Sequence, residues 1–217
     1  MSRRFDLVIF DWDGTLFDSV SQIVSSLQWA AQQYQIDLCP EAARNIIGLG
    51  LPEAMQALFP QHVELQPYIQ AEYASHYVAN SHTQRWFTGV DDLLEQLTSC
   101  GMLLAVATGK SRAGLDRVLV QTESERYFVA TRCANETCSK PDPLMLEQLL
   151  AQTGVSVERA VMVGDSSYDM EMAQRMNMAR IGVSYGVHSA DVLEQYQPMA
   201  VVHSIAELGQ VLLKLSA

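Results

Sequence analysis

Residues 8–19 read VIFDWDGTLFDS, an apolar run that is followed by three aspartates, Asp11, Asp13 and Asp18. The run VIF is typical of a buried strand, and the charged residue directly after it marks the end of that strand. On an extended chain, positions i and i+2 project to the same side. We therefore expect the carboxyls of Asp11 and Asp13 to face one site.

Five further apolar runs follow, with helix-length patterns between most of them. The predicted strands cover residues 7–10, 103–107, 127–130, 160–163, 179–183 and 200–202. Strands that alternate with helices form parallel sheets, and continuous apolar runs favour strands that are covered on both faces. The sequence predicts an α/β fold with a doubly wound parallel sheet.

About ninety residues without a strand-like run separate the first predicted strand from the second, which is too long for a single crossover. The spacing of apolar residues predicts helices from Ile23 to Tyr34, over 52–59 and over 67–78. We expect a helical domain at residues 17–83, inserted into an α/β core that residues 1–16 and 84–217 form.

Polar residues follow the predicted strands at the edge where open parallel sheets bind ligands. These residues are Asp11, Asp13, Thr108, Gly109, Lys110, Asp165 and Asp169, with Lys140 placed ahead of a helix. Four carboxylates at one edge repel each other unless a cation compensates their charge. Oxygen ligands without a nearby His or Cys favour a hard ion, and Mg²⁺ is the usual choice.

Paired carboxylates also suit phosphoryl transfer. One of Asp11 and Asp13 can attack as a nucleophile, while the other serves first as an acid for the leaving group and then as a base for water. The oxygens around phosphorus need positive or hydrogen-bonding partners. Thr108 and Lys140 supply such partners, so the sequence predicts a site for phosphate esters.

Four motifs, in this order, resemble those of the haloacid dehalogenase superfamily of phosphohydrolases: DWDGT at 11–15, the strand-end Thr108, Lys140 with its following proline, and GDSSYD at 164–169. Three stretches, DGTLFDS, IIGLGLPEAM and KPDPLML, resemble its phosphoglycolate phosphatase-like branch. The resemblance implies a Rossmann-like core with an inserted helical cap. It also implies Mg²⁺-dependent hydrolysis of a small phosphomonoester, with phosphoglycolate as one candidate.

The resemblance further implies a role for each motif residue. Asp11 would form the aspartyl-phosphate and ligate Mg²⁺, and Asp13 would act as acid and base and offer its backbone carbonyl to the metal. Asp165 would ligate the metal directly, whereas Asp169 would either ligate it or orient other ligands. The phosphoryl group would be held by Thr108, Lys140 and the amide of Gly109.

Three features leave two interpretations open. The favoured interpretation of Asp18 with Ser19 is the N-terminal cap of the first inserted helix, and the alternative is a hinge or a substrate contact. Lys110 is either a solvated surface lysine or a contact for a substrate carboxylate or phosphate. Residues 48–50, Gly-Leu-Gly, are either a helix end or the substrate-specificity loop that the family places in this region.

Composition narrows the possible partners. A formal charge of −11 argues against a nucleic-acid partner. No apolar run approaches the roughly 20 residues that a membrane span requires, so we expect no membrane partner and a cytoplasmic location. The cysteines lack metal-site spacing and are expected to be reduced. The sequence does not indicate an oligomeric state.

Two other functions share part of this chemistry. A sugar-phosphate mutase would use the same aspartyl-phosphate, and only product analysis separates it from a phosphatase. A phospho-accepting receiver module also gathers acidic residues, a Thr and a Lys around Mg²⁺. Receiver modules are much shorter, however, and they carry no inserted domain.

Overall fold

The structure, a computed structural model, describes residues 5–81 and 85–214. Its strands are β1 (Leu7–Phe10), β2 (Phe17–Asp18), β3 (Arg85–Trp86), β4 (Leu103–Thr108), β5 (Phe128–Cys133), β6 (Ala160–Gly164), β7 (Ala179–Val183) and β8 (Ala200–Val202). Its helices are α1 (Val20–Gln32), α2 (Pro40–Asn45), α3 (Leu51–Leu58), α4 (Gln66–Asn80), α5 (Val90–Ser99), α6 (Arg112–Gln121), α7 (Leu144–Thr153), α8 (Ser167–Arg175), α9 (Ala190–Glu194) and α10 (Ile205–Lys214).

Six strands form one parallel sheet in the order β5-β4-β1-β6-β7-β8. Strand β1 lies between β4 and β6, and its last residue, Phe10, pairs with Val106 and Val163. Because the strands are parallel and in register, the residues that follow β1, β4 and β6 meet at one edge of the sheet. All six predicted strands of the sheet are present.

Helices cover the sheet on both faces. Leu7 and Ile9 of β1 belong to an apolar cluster with residues of α7 and α8, whereas Val8 and Phe10 belong to one with residues of α5 and α10. This alternation along one strand, with both sets buried, follows from the pleat of the strand. The predicted doubly wound α/β fold is confirmed.

Helices α1–α4 lie between β2 and β3 in the chain and share a separate apolar cluster that includes Leu27, Met55 and Ile69. Strands β2 and β3 pair antiparallel where the chain leaves the sheet region and where it returns. The division into residues 17–83 and the remainder stays a prediction, and its second boundary involves residues 82–84, which lie outside the described residues.

Two expectations about the inserted helices were incorrect. Helix α2 was not anticipated, because six residues are too few for a clear apolar period. Asp18 does not cap α1: it is exposed in β2, opposite Arg85, and Ser19 occupies the N-cap position without a side-chain bond to the helix. Pairing of β2 with β3 therefore favours the hinge interpretation of Asp18.

Among the described residues, no helix combines the length and the apolar character that a membrane-spanning segment requires.

Candidate active site

The carboxyl end of β1 supplies two aspartates to one cleft. Asp11 is buried, Asp13 is 9% exposed, and both line the same cavity. Gly14 then turns the chain with a positive φ of 81°, a conformation that residues with a Cβ rarely adopt. A Cβ at Gly14 would also lie 2.1 Å from Oδ2 of Asp165, so this position requires glycine.

Lys140 forms ion pairs with Asp11 and Asp169. Its fully buried Nζ lies 2.6 Å from Oδ1 of Asp11 and 2.7 Å from Oδ1 of Asp169. Burial by itself would lower the pKa of this lysine, but the two neighbouring carboxylates outweigh that effect and raise it. The ammonium therefore stays charged and neutralises part of the cluster.

Asp11, Asp165 and Asp169 form a buried group in which one oxygen from each lies within 4.8 Å of the others. Oδ1 of Asp165 accepts a hydrogen bond from Thr15 at 2.9 Å, and Oδ2 accepts one from the amide of Val187 at 2.7 Å. Burial, together with the charge of Asp169, raises the pKa of Asp165 to about 7. Burial is also the main cause that raises the pKa of Asp11, against the opposing effect of Lys140.

This donor set fits a hard divalent cation. The three ligands are carboxylates, without a thiolate or an imidazole among them, which suits Mg²⁺. Burial and the charges of neighbouring carboxylates raise the pKa values of Asp11 and Asp165, and a bound cation would favour their charged forms. Asp11, Asp165 and Asp169 are thus the residues that could hold the metal.

Lys110 is not a solvated surface lysine. Its Nζ lies 2.9 Å from Oδ1 of Asp13 and 3.2 Å from the hydroxyl of Tyr77, and only 8% of its side chain is exposed. The surface interpretation is therefore wrong, and the lysine lines the cleft. Oδ1 of Asp13 also accepts a hydrogen bond from Ser19 at 2.5 Å.

Strand β4 ends at the same edge. Thr108 is buried there, and its Oγ1 accepts a hydrogen bond from the amide of Lys110 at 3.2 Å. Gly109 packs directly against residues 48–50. A Cβ at this position would be 2.4 Å from the carbonyl oxygen of Leu49. Gly109 lines the cleft, whereas Thr108 is not among the lining residues that the structure describes.

Residues 48–50 contact residues of the α/β core. They connect α2 to α3, and the amide of Gly50 donates a hydrogen bond to Oγ of Ser139 at 2.7 Å. Gly48 and Leu49 line the cleft. This segment connects two helices and forms a wall of the cleft, and its role in substrate specificity stays a prediction.

The cleft has a volume of about 220 Å³ and lies between the sheet edge and the inserted helices. Asp11, Asp13 and Lys110 contribute charged groups to its lining, and apolar side chains of α1, α3 and α4 form much of the remaining wall. The sequence-predicted residues Asp11, Asp13, Lys110, Lys140, Asp165 and Asp169 are thus brought together at one place.

Comparison with known proteins places this geometry in a family. A family model described as haloacid dehalogenase-like hydrolase matches residues 8–183. The chain is 33% identical to "Probable phosphatase IndB" of Dickeya dadantii, over 97% of this chain and 96% of that protein. It is 32% identical to a "5'-nucleotidase" of Pseudomonas aeruginosa, over 96% of each. The chain belongs to the haloacid dehalogenase-like hydrolases.

A solved structure agrees in fold. That of a predicted phosphoglycolate phosphatase from Haemophilus somnus aligns with a TM-score of 0.85 and 22% identity, covering 97% of this chain and 99% of the other. Phosphoglycolate phosphatases are also among the curated relatives. The predicted family, its phosphoglycolate phosphatase-like branch and the class of phosphoric monoester hydrolase are confirmed.

The sequence motifs did not indicate several residues that shape this haloacid dehalogenase-like site. Gly186 approaches the cluster so closely that a Cβ there would lie 2.2 Å from Oδ2 of Asp165. Arg44 of α2 donates hydrogen bonds to the carbonyl oxygens of Gly186 and, at 3.0 Å, of Val187. These contacts join residues more than 140 positions apart, so no local pattern could have indicated them.

Proposed function

We propose that the protein is a Mg²⁺-dependent phosphatase that hydrolyses a small phosphomonoester through an aspartyl-phosphate on Asp11. The observation that supports this most strongly is that Asp11 and Asp13 line one cleft while Lys140 holds Asp11 among further carboxylates. The bound metal would supply positive charge that offsets the negative charge of the carboxylates and of the substrate phosphate.

Asp11 is suited to the nucleophilic role. Lys140 occupies its Oδ1, while Oδ2 accepts no hydrogen bond from the described residues. Attack of an Asp11 oxygen on phosphorus would form the acyl-phosphate bond and break the bond between phosphorus and the ester oxygen. Lys140, which stays charged, would hold the side chain during this step.

Asp13 is placed for proton transfer. Its Oδ1 is held by Ser19 and Lys110, and we propose that a proton from its carboxyl passes to the departing ester oxygen. In the second step Asp13 would take a proton from water, whose oxygen attacks phosphorus and releases inorganic phosphate and the Asp11 carboxylate. Thr108, Lys140 and the amide of Gly109 would bind the phosphoryl oxygens, as the family resemblance implies.

We further propose that residues 17–83 form a cap over the cleft. Three hydrogen-bonding contacts from this segment to the core support that arrangement, those of Arg44, Asn45 and Gly50. Closure of such a segment excludes bulk water during the first step.

A cytoplasmic location agrees with the four cysteines, which form no disulfide.

The direct test is release of inorganic phosphate from p-nitrophenyl phosphate with and without MgCl₂. We expect no turnover in Asp11→Asn or after chelation of divalent metal, and normal turnover in the control Asp18→Asn, because Asp18 is exposed and outside the cluster. Activity that persists in Asp11→Asn, or without a divalent cation, would overturn the proposal. With hexose 1-phosphates, formation of an isomer instead of free phosphate would indicate a mutase.

A further inference from the structure

One cation of the cleft forms no hydrogen bond or ion pair among the described residues. Arg117 of α6 lines the cavity, and its guanidinium makes no hydrogen bond or ion pair with the residues that the structure describes. Its Nε is buried without a hydrogen-bond acceptor. Arg112, one and a half turns earlier on the same helix, pairs instead with Glu136 at 2.8 Å and with Asp116 at 3.1 Å.

Lys110 and Arg117, two cations of the cleft, both lie close to the aromatic ring of Tyr77. Nζ of Lys110 lies 5.1 Å from the ring centroid of Tyr77, and Cζ of Arg117 lies 6.0 Å from it. The charge of Lys110 is neutralised by Asp13 at 2.9 Å, whereas Arg117 forms no ion pair with a carboxylate among the described residues. The lining of the cleft therefore keeps one positive charge that these residues do not balance.

The nearby tyrosines do not supply the missing negative charge. Burial, assisted by the charge of Asp13, raises the pKa of Tyr73 well above its usual value, so the phenol stays neutral. The hydroxyl of Tyr77 accepts a hydrogen bond from Nζ of Lys110, and both cations lie near its ring. An anion for Arg117 would have to come from a bound molecule.

The cleft also has an apolar wall. Its members include Leu27, Ile46, Ile47, Leu51 and Val78, all contributed by the inserted segment. Such a surface favours an apolar body and offers a hydroxylated or charged chain no hydrogen-bonding partner.

We propose that Arg117 binds an anionic group of the leaving alcohol, so that the substrate is a phosphomonoester with an apolar or aromatic body and a second anion remote from the phosphate. This inference rests on the proposed phosphatase function. It assigns the phosphate to the cluster with Asp11, the body to the apolar wall and the second anion to Arg117. A charge-assisted pair of this kind in a partly buried cleft would contribute selectivity as well as affinity.

The test compares 4-carboxyphenyl phosphate with 4-carbamoylphenyl phosphate, two esters of similar size of which only the first carries the remote anion. We expect the wild-type protein to show a KM for the carboxylate ester lower by about tenfold or more, the size expected for a hydrogen bond to a charged group. Arg117→Gln should abolish this preference mainly through KM, and Arg117→Lys should retain part of it.

The control variant is Arg112→Gln, which removes a cation of the same helix that does not line the cleft. It should keep the preference for the carboxylate ester. Equal KM values for the two esters in the wild type, or an equal loss on both esters in Arg117→Gln, would overturn the role of Arg117 while leaving the phosphatase proposal in place. Absence of turnover with both esters and with p-nitrophenyl phosphate would overturn both proposals.

Discussion

Nζ of Lys110 lies 2.9 Å from Oδ1 of Asp13, which makes the lysine after strand β4 a partner of the proposed acid and base. The two residues come from different strand ends, and Tyr77 from α4 completes the contact at 3.2 Å. The orientation of the Asp13 carboxyl thus depends on a side chain of the core and, through it, on a side chain of the inserted segment.

Replacement of Lys110 by Met should lower kcat for p-nitrophenyl phosphate by roughly 10- to 100-fold, since Asp13 loses the cation that fixes its carboxyl. Tyr77→Phe keeps the ion pair and removes the hydroxyl that accepts a hydrogen bond from Lys110, so its loss should stay below about tenfold. Steady-state kinetics of both variants measure the difference. An equal loss in the two variants would mean that the tyrosine hydroxyl, and not the ion pair, controls Asp13.

Gly109→Ala should prevent residues 48–50 from contacting the core. The new Cβ would lie 2.4 Å from the carbonyl oxygen of Leu49 and 2.7 Å from that of Gly48, both of them backbone atoms that cannot rotate away. We expect kcat/KM to fall by about 100-fold, the cost of a displacement near 1 Å in an active site. The thermal unfolding temperature should change little, because β4 itself is unaltered.

The matched control for this change is Gly209→Ala in α10. Its Cβ would meet Leu93 at 3.4 Å, an ordinary van der Waals distance, and alanine is the better helix former. This variant should keep full kcat/KM. Wild-type kinetics in Gly109→Ala would contradict the contact between the loop and the core.

Local sequence patterns were sufficient to predict the sheet and the acidic cluster, but they did not predict the burial of Lys110. The apolar runs predicted strands such as β6 to within one residue, and parallel pairing then placed Asp11, Asp165 and Asp169 together. Lys110 stands next to the exposed Ser111, so its neighbours in sequence favour solvent. Its burial depends on Tyr77 and Asp13, which are distant in the chain, and periodicity carries no information about such contacts. For the same reason strand β2 at Asp18, whose partner Arg85 is distant in the chain, was mistaken for a helix cap.

Lys140→Met should destabilise the metal-free protein by about 3–5 kcal/mol, because Asp11 and Asp169 would then be buried without a cation. Added Mg²⁺ should restore more stability to this variant than to the wild type, since the ion replaces part of the lost charge. Denaturant unfolding with and without Mg²⁺ measures both effects. Lys214→Met, at the exposed end of α10, should behave like the wild type. An unchanged free energy of unfolding in Lys140→Met would show that the cluster does not need the lysine.

Cys133 should resist alkylation in the folded protein. Burial raises its pKa to about 12, even though the nearby Arg112 acts in the opposite direction, so the reactive thiolate is scarce at pH 8. Cys39, Cys100 and Cys138 are exposed. Mass spectrometry after iodoacetamide treatment at pH 8 should therefore find these three residues modified in the native state and Cys133 modified only after unfolding. Rapid native labelling of Cys133 would contradict its buried position.

Arg44→Ala should weaken Mg²⁺ activation. The arginine holds the carbonyl oxygens of Gly186 and Val187, and the amide of Val187 donates to Oδ2 of Asp165 at 2.7 Å. Loss of a partner that orients a metal ligand typically lowers metal affinity by about 10- to 100-fold, so the Mg²⁺ concentration for half-maximal activity should rise accordingly. Tyr168→Phe removes a different contact between core and inserted segment, the 3.0 Å bond to the carbonyl oxygen of Asn45, without touching residues 186–187. If both variants shifted Mg²⁺ activation equally, docking of the inserted segment as a whole, and not support of Asp165, would be the cause.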